Sequence, residues 1–343
     1  MTNTNQWMAL FPGQGAQSVG MGKELYDNFS IARQTFEEAS DSIKKDLGKL
    51  CFEGPDSELT LTENTQPALV TVSIAAFRVA QAETGFFPSV VAGHSLGEYS
   101  ALVAAGAISL PTAVHWVRER GASMQRAVPP GEGAMAAVMG GDSWIDALCE
   151  KATFLSRQRR GEDRGSENRL SVDAIVQPAN FNAPGQIVIA GSSDAVSEAI
   201  SLIKTDPEFS GGKAIPLNVS APFHCRLMEP ARKRMAQIFA DSSSQTRPGQ
   251  IKCPYVPNRT GRLTREPGVI LDLLVEQVDH PVLWKQSMAA MLEADFSVGV
   301  EFGPGKVLQG LAKRISQALS KPCTVHTLGD LGGLTSLQSV WKS

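Results

Sequence analysis

Apolar residues in this chain fall into short runs that stop at glycine or proline, alternating with longer stretches at helical spacing. Trp7-Met8-Ala9-Leu10-Phe11 predicts a buried strand that breaks at Pro12-Gly13-Gln14-Gly15. From Met21 to about Leu50 the spacing is mostly helical, and a turn follows at Glu53-Gly54-Pro55. Thr65-Gln66-Pro67 opens a helix whose Val70, Ile74, Phe77 and Ala80 share one face. Val90-Val91-Ala92 is a second short strand. It runs through Gly93-His94-Ser95-Leu96-Gly97 into the small-residue helix of Glu98-Tyr99-Ser100-Ala101, and Leu110-Pro111 starts another helix that carries Arg118 and Arg120.

The texture changes near Val128-Pro129-Pro130-Gly131. Short alternating segments follow at Ala134–Met139, Gln186–Ala190 and Lys213–Val219, with helices over 143–151 and 194–204 and a possible extra strand over 171–176. That order predicts a small ferredoxin-like lobe, residues 129–218, inserted in a larger one made of 1–128 and 219–343. Residues 156–171, with Arg157, Arg159, Arg160, Arg164 and Arg169, lack an apolar face and predict a solvated, mobile loop. After Val219 the larger texture returns. Ser220–His224 is a loop before a helix over 228–239, helices are expected over 271–278 and 284–292, and Val298–Phe302 is a strand that stops at Gly303-Pro304-Gly305.

At 343 residues and 42% hydrophobic content the chain supports one sizeable core and a smaller lobe. A net charge of −3 gives no general case for nucleic acid or an anionic membrane. The five cysteines are widely spaced without a C-x-x-C pair, which argues against a disulfide framework or a zinc site, and no metal is expected. The N-terminal residues lack the pattern of a signal peptide, and no run of about 18 apolar residues predicts a membrane span. A cytoplasmic setting follows.

Gly93-x-Ser95-x-Gly97, between a strand and a helix, has the spacing of a nucleophile elbow, where a sharp turn lifts one hydroxyl off the sheet. The glycines fit where helix and strand backbones approach closely, and the turn aims the Leu96 N–H at whatever bonds to the Ser95 oxygen. The competing phosphate-loop reading of Gly13-x-Gly15 fails at Ser18, and no Walker sequence exists. Ser95 needs a base. Of the five histidines, His94 diverges from Ser95 on the turn, His115 and His326 lie inside regular elements and His280 precedes Pro281. His224, in a proline-containing loop, is the best placed. No carboxylate stands out as its orienting partner.

FPGQGAQ (Phe11–Gln17) and GHSLGEYSA (Gly93–Ala101) together make the chain resemble the malonyl-CoA:acyl carrier protein transacylases. The likeness runs nearly end to end, through Thr65–Leu69, Glu119-Arg120-Gly121, Gly133–Val138, Asn180–Gly191, His224 and Glu301–Leu308. It implies an α/β fold, a hydrolase-like core with a parallel sheet and nucleophile elbow plus an inserted ferredoxin-like subdomain. It also implies malonyl transfer from malonyl-CoA to the phosphopantetheine thiol of acyl carrier protein, supplying the extender unit of fatty acid biosynthesis. By this resemblance Ser95 carries the malonyl ester, His224 is the base, the N–H groups of Gln14 and Leu96 hold the oxyanion, and Arg120 binds the malonyl carboxylate. The histidine's orienter is then a main-chain carbonyl near Gln277. Phe223, serine in some relatives, is expected to crowd a 2-methyl branch and favour malonyl over methylmalonyl. The resemblance implies a monomer without cofactors. An acidic carrier would find candidate docking surfaces in the arginine-rich loop and in Lys306, Lys313 and Arg314. Residues 156–171 look longer than is usual for the family. A serine esterase or thioesterase on the same elbow is the alternative, disfavoured by Arg120.

Overall fold

The computed structural model describes residues 6–162, 170–243 and 246–341. Its strands, in chain order, are β1 (Trp7–Phe11), β2 (Val90–Gly93), β3 (Gly133–Met139), β4 (Val176–Ala183), β5 (Gln186–Ser192), β6 (Lys213–Pro216), β7 (Tyr255–Val256), β8 (Val298–Phe302) and β9 (Thr324–Leu328). They form two sheets. One has the order β7-β2-β1-β8-β9, with every pairing parallel, and the other has the order β4-β5-β3-β6, with every pairing antiparallel.

A parallel sheet is stable only with both faces covered, and β1 shows how that is met. Trp7, Ala9 and Phe11 face a core shared with Leu69, Phe77 and Val117, while Met8 and Leu10 face a second core with Trp284, Met288, Leu308 and Ile315. Successive side chains of a strand point to opposite faces, so an unbroken apolar run fills both. In the second sheet the chain runs β3, helix, β4, β5, helix, β6. This is the ferredoxin-like arrangement, with Leu148 and Ala152 of one helix and Val196 and Ala199 of the other packed on its core.

Three expectations need correction. The helix expected to open at Thr65 begins at Thr62 and runs to Thr84, so Pro67 lies inside it. The extra strand expected over 171–176 starts at Val176 and runs to Ala183. It has register shifts between Pro178 and Asn180 and between Phe181 and Ala183, which erase the alternation that marks a regular strand. The solvated loop expected from residue 156 is helical as far as Glu162, because the helix that starts at Ile145 continues. Its arginines are held: Arg157 donates to the Ala174 carbonyl, Arg159 pairs with Glu198, and Arg160 pairs with Asp194 and bonds the Val172 carbonyl. Arg164 and Arg169 lie outside the described residues.

Candidate active site

The Ser95 turn sits at the C-terminal end of β2, the usual place for a site in an open parallel sheet. A Cβ on Gly93 would stand 1.9 Å from the Gly97 carbonyl oxygen, and one on Gly97 would stand 2.2 Å from the Phe11 carbonyl oxygen. Only glycine lets helix and strand come this close. Ser95 itself has a φ of 53°, a left-handed conformation that costs a serine about 1–3 kcal/mol unless the surroundings enforce it. They do. The Ser95 N–H donates to Asn258 Oδ1 at 2.7 Å, the Ser95 carbonyl accepts from Gln277 Nε2 at 2.9 Å, and Asn258 Nδ2 donates to the Gly93 carbonyl at 2.7 Å.

Ser95 Oγ lies 2.7 Å from His224 Nε2. His224 Nδ1 lies 2.8 Å from the Gln277 carbonyl oxygen. A carbonyl only accepts, so Nδ1 carries the proton and Nε2 presents its lone pair to the serine hydroxyl. His224 is buried and also adopts a positive φ, 61°. Burial first, and the Arg120 charge second, push its pKa down to about 3, against the opposing effect of the Gln277 carbonyl. The imidazole is therefore neutral at physiological pH and able to take a proton.

Arg120 is 1% exposed and rises from the helix Leu110–Ala127. Its Nη1 donates to Gln66 Oε1 at 2.9 Å, and its Nη2 donates to Ser95 Oγ at 3.1 Å and to Gln277 Oε1 at 2.8 Å. Its Nε is buried with no partner among the described residues. A guanidinium beside the serine with an unfilled donor can pair with an anionic group. The backbone N–H groups of Gln14 and Leu96 also lack hydrogen-bond partners among the described residues, and Leu96 is the residue that precedes the helix Gly97–Ala104.

Gln14, Gln66, Ser95, Arg120 and His224 line a cavity of about 660 Å³ between the two sheets. The parallel-sheet side supplies Gln14, Ser95, Arg120, Phe223 and His224, and the antiparallel side supplies Met135, Asn180, Asn182, Gln186 and Val188. His94 turns away from the hydroxyl. Its Nε2 lies 2.8 Å from Asn182 Oδ1 across the cleft and its ring packs near Trp284. Of the basic residues set aside as docking candidates, Arg314 bonds Gln186 and the Pro184 carbonyl, which ties its helix to the smaller sheet.

Gln66, Asn258 and the Gln277 side chain bond directly to Ser95 or Arg120, and Glu98 bonds Asn258 and Gln277 behind them, yet none of the four stands out as a site residue in the sequence. The only hint of them is position: Gln66 beside Pro67, Glu98 inside the elbow motif and Asn258 two residues beyond a short strand.

The acyl transferase domain model matches residues 8–329. Malonyl CoA-acyl carrier protein transacylase of Bacillus subtilis (strain 168) is 42% identical over 323 residues, covering 92% of this chain and 94% of that protein. FabD from Acinetobacter baumannii has a crystal structure that superposes with a TM-score of 0.86 at 37% identity, covering 98% of both chains. A malonyl-transacylase solved in complex with its type II PKS acyl-carrier protein superposes with a TM-score of 0.85 at 38% identity, covering 98% of this chain and 99% of that one. The chain belongs to the malonyl CoA-acyl carrier protein transacylase family of acyl transferases.

Proposed function

We propose that the protein moves a malonyl group from malonyl-CoA to the phosphopantetheine thiol of an acyl carrier protein through an ester on Ser95, and so supplies the extender unit for fatty acid biosynthesis. The observation that carries this reading is the buried Arg120 guanidinium 3.1 Å from the serine hydroxyl, a nucleophile paired with a cation for the far end of a diacid. The family supports the same reading.

The chemistry runs in two halves. Ser95 Oγ attacks the thioester carbonyl while its proton passes to His224 Nε2. The oxyanion is held by the N–H groups of Gln14 and Leu96, each donor contributing roughly 3 kcal/mol in comparable sites. The carbon–sulfur bond breaks, and the imidazolium returns its proton to the coenzyme A sulfur. The carrier thiol then gives a proton to His224 and attacks the ester carbonyl, and Ser95 regains its hydroxyl proton as the carbon–oxygen bond breaks. Thioester becomes thioester, so the exchange calls for no redox or metal chemistry. The Gln277 carbonyl keeps the imidazole in the tautomer that both halves need. Phe223 stands at the wall of the cavity, and its ring is expected to crowd a 2-methyl branch and so favour malonyl over methylmalonyl.

The reading is tested by intact-protein mass measurement after malonyl-CoA, then after a phosphopantetheinylated carrier. A malonyl adduct on Ser95 that the carrier thiol removes faster than water does is expected. An adduct lost to water first would make the protein a hydrolase.

Arg120→Ala should cut the preference for malonyl-CoA over acetyl-CoA by about one to two decades, the worth of a charged hydrogen-bonded pair. The kcat/KM ratio of the two substrates measures it, and an unchanged ratio would remove Arg120 from carboxylate recognition. The pH profile carries a second expectation. The base acts only when neutral, and its pKa lies near 3 rather than at the ordinary 6.5. The rate of Ser95 loading should therefore show no imidazole limb as pH falls from neutral to about 5. A unit-slope limb centred near 6.5 would show that His224 titrates normally.

A further inference from the structure

Glu98 has no part in the exchange above, although it lies fully buried directly beneath it. Its Oε2 accepts from the Asn258 N–H at 3.1 Å and from Gln277 Nε2 at 2.7 Å, and its Oε1 has no partner among the described residues. Gln277 passes the contact on, because its Oε1 accepts from Arg120 Nη2 at 2.8 Å. The chain of bonds therefore runs from carboxylate to carboxamide to guanidinium. Among the described residues, the partners that Arg120 itself touches are neutral: Gln66, Gln277, the Ser95 hydroxyl and the face of Tyr99, 5.8 Å from its ring centre. A buried guanidinium without an anion nearby is strongly unfavourable. Glu98 is the carboxylate that the bonding path connects to it.

We propose that Glu98 is the buried counter-ion of Arg120, acting through the Gln277 carboxamide, and that its charge sets how strongly the clamp prefers an acyl group with its own carboxylate. The inference rests on the malonyl reading of the site. In the empty enzyme above neutrality, the Glu98 carboxylate balances Arg120. When a malonyl carboxylate arrives, two anions share one cation, and the repulsion lowers the grip on malonyl while leaving acetyl untouched. Glu98 is thus a positioning residue that opposes over-tight binding of the diacid.

Burial already pushes the Glu98 carboxyl up to about 7, against its bonds to Asn258 and Gln277 and the Arg120 charge. The groups that face it from neighbouring elements are Arg120, Tyr99 on its own helix and Tyr255 on β7, and burial pushes the pKa of both tyrosines upward, so they stay neutral near pH 7. The ionised form therefore dominates only above neutrality, and a proton taken up on the free Oε1 leaves both bonds to Oε2 in place.

The test is Glu98→Gln, which keeps the shape and an acceptor oxygen but removes the charge. At about pH 8 the ratio of kcat/KM for malonyl-CoA over acetyl-CoA should rise by about tenfold, mainly through a lower malonyl KM. The gap between variant and wild type should close toward about pH 6, where wild-type Glu98 is itself protonated. In an Arg120→Ala background the substitution should leave the ratio where Arg120→Ala alone puts it. A purely structural Glu98 would lower both substrates equally, or move the ratio independently of Arg120, and either result overturns the proposal. If Glu98→Gln does not accumulate in folded form, the pH dependence of the wild-type ratio decides: it should rise as pH falls from about 8 to 6, and a flat or opposite trend overturns it. Failure of wild-type protein to form a malonyl adduct would instead sink the functional reading itself.

Discussion

Ser95→Ala should abolish covalent labelling by malonyl-CoA and lower transfer to a carrier by at least about ten-thousandfold. The effect is this large because the neighbouring thiol is no substitute nucleophile. Cys225, the sulfur beside His224, is 1% exposed, donates its thiol to the Pro222 carbonyl at 3.1 Å and has its pKa pushed up to about 12 by burial. A neutral, engaged thiol does not attack thioesters. The turn should survive, because Asn258, Gln277 and the two glycines hold its backbone without help from the hydroxyl. Thermal melting checks the fold, and mass measurement after malonyl-CoA checks the label. An adduct of wild-type amount on the alanine variant would place the nucleophile elsewhere.

His224→Ala should slow loading by about 10²–10⁴-fold, the usual contribution of a positioned base. Here the loss is of a different kind. Ser95, Arg120 and the free N–H groups remain, so the adduct should still form, slowly, and should then be discharged slowly by the carrier thiol. Raising the pH should restore part of the rate as hydroxide replaces the missing base, which cannot happen in the Ser95 variant. Single-turnover loading followed against pH measures this. Loading at the wild-type rate would show that the 2.7 Å contact between Ser95 and His224 does no proton transfer.

What can be read from the chain before folding divides along physical lines. The Gly93–Ser95–Gly97 turn is legible because sterics leave no alternative: a Cβ at either glycine would meet a backbone oxygen at 1.9–2.2 Å. His224 is legible by elimination and by its loop. Its partner is not legible from the residues themselves, because the partner is a main-chain carbonyl and every residue has one; only the family resemblance points to the neighbourhood of Gln277. Gln66, Glu98 and Asn258 are illegible for another reason. A polar residue beside a motif looks solvated until tertiary packing buries it, and all three are at most 1% exposed. The same blindness explains residues 156–162. Arginines read as facing water pair with Asp194 and Glu198, 34 and 39 residues further along the chain. β4 is missed because Gln177, Pro178, Asn180 and Asn182 replace the usual alternation, yet its irregularities place Asn180 and Asn182 on the cavity wall.

The cleft has one further implication. Ser95, Arg120, His224 and Gln277 all come from outside residues 133–216, whereas Met135, Asn180, Asn182, Gln186 and Val188 come from inside them. The reacting groups therefore lie outside this stretch of the polypeptide, while the wall opposite them is built largely by it; Arg120 and Phe223 stay with the reacting groups. A chimaera carrying a relative's 133–216 would inherit new acyl-chain tolerance on an unaltered reaction centre, provided that the His94–Asn182 and Arg314–Gln186 bridges across the seam are kept.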